Sequence, residues 1–347
     1  MQTETAVVHP LAVDDALSPP SRSAAIPGLV WAFRVHSDGR PEALPADQPI
    51  PLSHEGLLWL HLNLADARAL QWLASADLGI SPESRALLLS KDNYQHLHAT
   101  EDCVHGVISD LMRDIAETTE ETAYLRFVMT ERLLLSGRHH ALAAVDATRR
   151  ALEGGRRVES VAALLETIVE QVADTMDRMS DHVAQSLDEI EEQVLSDSVT
   201  DLRQKLGRLR RSCVRLHRQL SGLRLVFHRL EQNGPTGLKP ALQLRAGRLA
   251  QRLDDLDHTV VEMRERSRLL QEELHLKIEE QGNQSLRVLS VLTAILMPPT
   301  LITGIFGMNT KGLPFADLDG AFLWASLLMV LSSCAAYFIM KRIGVIK

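Results

Sequence analysis

The uncharged stretch VLSVLTAILMPPTLITGIF, residues 288–306, and a second one, AFLWASLLMVLSSCAAYFIM, residues 321–340, decide how the rest of the chain is read. Each is about 20 residues long, and at about 1.5 Å rise per residue a helix of that length reaches across the hydrocarbon core of a bilayer. Trp324 and Tyr337 lie near opposite ends of the second run, where interfacial aromatics belong. The competing reading is a soluble hairpin buried in a core. Two spans put both chain ends on one side of the bilayer. The basic residues Arg287, Lys341, Arg342 and Lys347 flank the spans, against one Lys311 between them, so the ends are expected to be cytoplasmic.

Outward from the spans the chain is ordinary soluble protein. Hydrophobic residues make up 45% of the 347, yet mean hydropathy is only -0.04, so the membrane part is local. The net charge of -8 argues against nucleic acid as a partner and suits a cation. Cys103, Cys213 and Cys334 are far apart and form no CxxC pair, which reads as reduced thiols rather than a disulfide frame or zinc knuckle. Residues 1–27 have neither a basic nor an apolar leader segment and read as a mobile tail.

Between residues 28 and 157 the runs LVWAFRV, LLWLHLNL, AYLRFVMT and RLLLSG alternate with helical patterns such as DARALQWLASADLG, predicting a small α/β domain. Residues 158–287 read as a helical hairpin followed by a stalk. A helix with mostly acidic charges (Glu166, Glu170, Asp174, Asp188) precedes a strongly basic one (Arg203, Arg208, Arg215, Arg224). The simplest expectation is that these opposite charges face each other; a lipid-headgroup or nucleic-acid surface is the alternative. Beyond Pro240 no proline interrupts the helical pattern until Pro298, so one helix is expected to run from about residue 241 to 306. Leu249, Leu253, Leu256, Val260, Met263, Ser267, Leu270 and Leu274 form a coiled-coil-like seam on it.

At the end of the first span stand Gly307, Met308 and Asn309, followed by the loop TKGLPFADLDG. A GMN tripeptide closing the first of two C-terminal spans, behind a long helix and a soluble domain, resembles the CorA superfamily of divalent metal ion transporters. The paired prolines of MPPTLITGIFGMN and the Gly-Leu-Pro-Phe loop are most similar to its ZntB zinc-transporter branch. Magnesium-type members usually carry an acidic residue in that loop. Here Lys311, Gly312, Leu313, Pro314 and Phe315 supply none, although Asp317 and Asp319 follow.

The resemblance implies an α+β fold assembled as a homopentameric funnel in the bacterial inner membrane. It has a cytoplasmic α/β domain, a helical stalk, a pore-lining first span (288–306), an external loop (307–320), an outer second span (321–342) and a short cytoplasmic tail (343–347). Its substrate would be Zn²⁺, with Mg²⁺, Co²⁺ or Ni²⁺ as alternatives. It needs no resident cofactor, and its partners are the lipid bilayer and further copies of the chain. Uptake coupled to protons is known in the zinc branch.

Reading back from the tripeptide in steps of four and three gives Gly304, Thr300, Met297, Thr293, Ser290, Leu286 and Asn283 on one stripe, polar and small groups interrupted by two apolar rings. That suits a hydrated path with constrictions at Leu286 and Met297, although small and hydroxyl residues also mediate ordinary helix packing. Asn309 would ring the external mouth with amide oxygens and hold a hydrated divalent ion through its water shell. Gly307 would let the backbone leave helical geometry, and Met308 would pack. Pro298 and Pro299 would free the carbonyls of Ala294 and Ile295, at a flexible point or a static kink.

Continued inward, the stripe brings Glu279, Glu272, Glu265 and Glu262 to an acidic vestibule, or else to a solvated outer face. Neither uncharged run contains an Asp, Glu, His, Lys or Arg to relay protons, so a relay would have to use water or the groups at the mouth and vestibule. His96, His98, His105, His139 and His140 are candidates for regulatory zinc, against the commoner reading of packed or surface histidines. A CorA-type magnesium or cobalt channel is the alternative function, and a membrane-anchored coiled-coil scaffold comes from a different class. No P-loop, GxSxG, HExxH or Rossmann fingerprint marks an enzyme.

Overall fold

A seven-stranded mixed sheet organises the N-terminal half. Its strands are β1 (Leu29–Val35), β2 (Pro41–Leu44), β3 (Leu57–Asn63), β4 (His96–Ala99), β5 (Cys103–Arg113), β6 (Thr118–Thr130) and β7 (Leu133–Arg138). They lie in the order β2-β1-β3-β7-β6-β5-β4, and β3 with β7 is the parallel pair. The computed structural model describes residues 25–52, 56–113, 118–195, 201–235, 237–308 and 321–344.

Helices α1 (Ala67–Ser75) and α2 (Pro82–Leu89) cover one sheet face, where Leu58, Leu60, Leu62, Val128 and Leu135 pack with Leu73 and Leu88. Both helices start on sequence signals: Asp66 accepts from the Arg68 N–H, and Ser81 accepts from the Ser84 N–H ahead of Pro82. The opposite face buries Phe33, Trp59, Phe127 and Leu134, and α3 (Ala143–Glu153) lies against it. Leu142, at the start of α3, has no capping side chain of its own. The cap comes from β5 instead, where buried Asp110 accepts from the Ala144 N–H at 2.9 Å and from its neighbour Leu111 N–H at 2.7 Å.

Three long helices follow: α4 (Val161–Leu195), α5 (Leu202–Asn233) and α6 (Ala246–Phe306, 61 residues), then α7 (Ala321–Ile343). The stalk helix begins a little later than its sequence suggests, because Pro240 nucleates a 3-10 turn over Pro240–Leu242. The chain forms two compact units, residues 1–189 with 207–267, and residues 190–206 with 268–347.

In the first unit the charges pair differently from the sequence expectation. The acidic residues of α4 meet arginines at and beyond the start of α6: Glu166 with Arg245, Glu170 with Arg248, Asp174 with Arg252, and Asp188 with Arg266. Partner numbers rise together, so these helices run parallel. The basic α5 also turns to α6, through Arg224 with Asp254 at 2.6 Å and His217 with Asp257 at 2.7 Å. The seam residues Leu249, Leu253, Val260, Met263 and Ser267 are buried within the single chain, and the α4 and α5 ion pairs identify the helices that cover them. In the second unit Leu270 and Leu274 are buried with Ile190, Val194, Leu202 and Leu206, and the Lys277 ammonium donates to the Val194 carbonyl at the C-terminal end of α4.

Candidate functional site

The C-terminal part of α6 and nearly all of α7 are each long and apolar enough to cross a bilayer. The two helices touch. Ser333 of α7 donates to the Ile295 carbonyl of α6 at 3.4 Å, and the Thr303 hydroxyl approaches Met329 Sδ at 3.7 Å. The first contact answers a need set by sequence. Pro299 has no N–H to give the carbonyl four residues before it, and a hydroxyl from the second helix takes that acceptor instead.

Partial burial on α6 marks the face turned to α7: Val291, Ala294, Ile295, Pro298, Pro299, Ile302 and Phe306. At about 100° per residue these cluster around Ile295. Asn283, Leu286, Ser290, Thr293, Met297, Thr300 and Gly304 are all exposed and centre roughly 180° away, on the side opposite α7. Leu286 is 62% and Met297 70% exposed, large apolar groups that this chain by itself leaves uncovered. The Thr293 and Thr300 hydroxyls donate to the Leu289 and Leu296 carbonyls one turn back, which satisfies their protons and leaves oxygen lone pairs on the stripe.

Helix α6 ends at Phe306, just before the tripeptide. Gly307 still bonds its N–H to the Thr303 carbonyl at 2.8 Å, and its backbone does not enter the left-handed region. A Cβ there would sit 3.0 Å from the Thr303 oxygen, a close approach at the residue where the helix has ended. Met308 follows, 53% exposed. Asn309 and the rest of the loop to residue 320 lie outside the described residues, as does most of the N-terminal tail.

The four α6 glutamates are not bare. Glu262 pairs with His258 at 3.3 Å and Glu279 with His275 at 3.3 Å, while Glu272 pairs with Arg268, each partner four residues back on α6. Glu265 also has an interaction partner. All four glutamates are exposed within the chain.

The histidines of the sheet domain have local partners of their own. His105 bonds Ser84 at 3.0 Å, and burial, with His98 and His96 nearby, lowers its pKa. His139 is held below its ordinary pKa by burial and by Arg126. Among the described residues no three histidine, cysteine or acidic side chains converge as a metal site. Cys103 and Cys213 are buried thiols whose pKa values burial raises, and Cys334 is exposed on α7.

Two apolar helices of membrane length, one of them carrying small and hydroxyl groups on the side its partner leaves exposed, fit an integral membrane protein. The chain belongs to the family described as CorA-like Mg2+ transporter protein, whose model matches residues 54–342. It is a divalent cation transporter and not an enzyme.

Among curated proteins it is 23% identical over 319 residues to the zinc transport protein ZntB of Pectobacterium carotovorum, covering 90% of this chain and 95% of that one. It is 24% identical over 300 residues to the ZntB of Cronobacter sakazakii, covering 83% and 87%. Among solved structures, full-length CmaX aligns at a TM-score of 0.74 and 25% identity, covering 91% of this chain and 97% of that one. The CorA magnesium transporter of Methanocaldococcus jannaschii aligns at 0.69 and 21%, covering 91% and 99%. These likenesses fit the α+β architecture with two membrane helices.

Proposed function

We propose that this chain takes up zinc across the bacterial inner membrane as a homopentamer, both ends cytoplasmic, with five copies of the α6 stripe around one pore and α7 outside. The observation that carries the reading is the position of the stripe: Ser290, Thr293, Thr300 and Gly304 lie on the side of α6 that α7 does not cover. Asn309 at the external end would hold the hydrated ion through its water shell, and Leu286 and Met297 would close the path by excluding water.

Zinc is favoured over magnesium by the ZntB relatives, by a loop start without carboxylates, and by the two His–Glu pairs on α6. A tetrahedral zinc holds nitrogen and oxygen ligands at about 2.0–2.2 Å, which sets the two ligand atoms roughly 3.3 Å apart. Nε2 of His258 and Oε1 of Glu262 are 3.3 Å apart, and so are those of His275 and Glu279. Imidazole suits zinc, whereas magnesium takes oxygen ligands and water. Such pairs give weak way-stations rather than closed sites, as transport requires.

Coupling to protons belongs to the same proposal, with water and the groups at the two ends of the pore as the route. The test is zinc uptake into proteoliposomes loaded with a zinc-selective dye, comparing wild type with Asn309→Ala at two external pH values and with excess Mg²⁺. Uptake that needs Asn309, resists Mg²⁺ and rises at low external pH is expected. Uptake abolished by Mg²⁺ would turn the reading to a magnesium channel, and an absence of divalent flux would overturn it.

A further inference from the structure

On the α3 side of the sheet, positive charge collects in excess of its counter-charge. Asp146 of α3 is the centre. Its Oδ1 accepts from Arg149 at 3.1 Å, and its Oδ2 accepts from Arg113 and from Arg150 Nε at 3.2 Å, so three guanidiniums share one carboxylate. Glu153 takes one further donor of Arg149 at 2.6 Å. Arg138, at the end of β7, completes the group. It lies 5.6 Å from the centroid of Trp31, the same distance as Arg149, and among the described residues its guanidinium has no hydrogen-bond or ion-pair partner.

Burial lowers the pKa of Arg138, with Arg113 and Arg149 acting in the same direction and Asp146 opposing them. Behind the guanidiniums Trp31 stacks on His61 at 4.2 Å, and the buried Trp31 Nε1–H also lacks an acceptor. Among the described residues, then, these four arginines meet two carboxylates, Asp146 and Glu153, with donor groups left over on Arg138, Arg113, Arg150 and Trp31. The cluster opens to solvent on the side of Arg150, whose side chain is 59% exposed.

A cation–π stack explains where Arg138 lies, but not why two unbalanced charges are kept there. Guanidinium forks bind phosphate oxygens in pairs, and a phosphate group of about two negative charges near neutral pH would supply the missing counter-charge and the missing acceptors. Trp31 is already stacked on His61 and within cation–π reach of Arg138 and Arg149, so its ring is engaged without a base.

We infer that Arg113, Arg138 and Arg150, grouped around Asp146, bind the phosphate group of a small soluble molecule. The inference is independent of the transported ion.

The experiment is isothermal titration of the full-length protein in detergent with inorganic phosphate, and separately with ATP, at matched ionic strength. Saturable binding of one phosphate-bearing molecule per chain is expected, weakened about tenfold or more by Arg138→Gln and only partly restored by Arg138→Lys, which keeps the charge but loses the fork. Asp146→Asn is the diagnostic. If the cluster merely braces α3, this variant destabilises the protein and leaves anions irrelevant; if it binds phosphate, the variant tightens binding several-fold. Should Asp146→Asn fail to fold, the two Arg138 variants decide. Binding of inorganic phosphate points to the free anion, and binding of ATP alone points to a nucleotide. No binding of either, or binding unchanged in Arg138→Gln, overturns the inference.

Discussion

Asp110 makes the stability of the sheet domain depend on pH in a direction opposite to that of an ordinary ion-paired carboxylate. It is 1% exposed, and burial pushes its pKa from 3.8 up to about 7, against the opposing pull of the Ala144, Leu111 and Val145 N–H groups. Between those two values the folded protein holds a proton that the unfolded chain has lost. The contribution of this group to stability is therefore fully present below about pH 4 and is lost as pH rises to about 7. Each pH unit of separation is worth about 1.4 kcal/mol, so the full loss is at most about 4 kcal/mol.

The perturbation is Asp110→Asn, which removes the titration and keeps an acceptor for α3. Unfolding followed by fluorescence of the buried Trp59 should show the wild type losing stability relative to the variant between pH 4 and 7, with the difference levelling above pH 7. Taking the difference cancels the other carboxylates. A difference that is flat with pH, or that grows in favour of the wild type as pH rises, would refute the reasoning.

Gly106→Ala is expected to cost about 1–3 kcal/mol, because a Cβ there would sit 2.4 Å from the His96 carbonyl and force strand β4 aside; denaturant melts test it, and an unshifted midpoint counts against the β4–β5 register. Ser333→Ala leaves the Ile295 carbonyl without its donor and should weaken the α6–α7 contact by about 0.5–1 kcal/mol in a detergent-unfolding titration. Asp257→Ala strands two partners at once, His217 at 2.7 Å and the Ser221 hydroxyl at 3.1 Å, and should destabilise the α5–α6 pairing by about 1–3 kcal/mol, read as faster hydrogen exchange in both helices.

The parts of the fold that were legible from sequence are those whose chemistry is local. Strands β1, β3, β6 and β7 announce themselves by short apolar runs, with aromatic or β-branched residues in β1, β3 and β6, and α1 by its helical apolar pattern. Strand β5 does not, because nearly all of it is buried and its interior positions include His105, Ser109 and Asp110, which break any alternation of apolar with polar. Strand β2 is four residues beginning with Pro41 at the sheet edge, too short to carry a period. The charges of α4 and α5 were legible, but their partners were not: Glu166 meets Arg245 from 79 positions away, and nothing in either helix's own pattern names the third helix. The stripe on α6 was readable by its period, and the partly buried face turned to α7 now fixes which side of the helix it occupies.

Two helices in the first unit are begun by side chains that do not belong to them. The first turn of α3 depends on Asp110 of β5, and the residue just before α6, Arg245, gives its N–H to Glu166 of α4 at 2.6 Å. A helix whose start is fixed from elsewhere has little help in paying the cost of its nucleus while the chain is unfolded. These starts form only after distant segments have met, 34 residues away for α3 and 79 for α6. In refolding, protection of the first amides of α3 and α6 should therefore lag behind that of α1 and α2, which carry their caps in their own sequence.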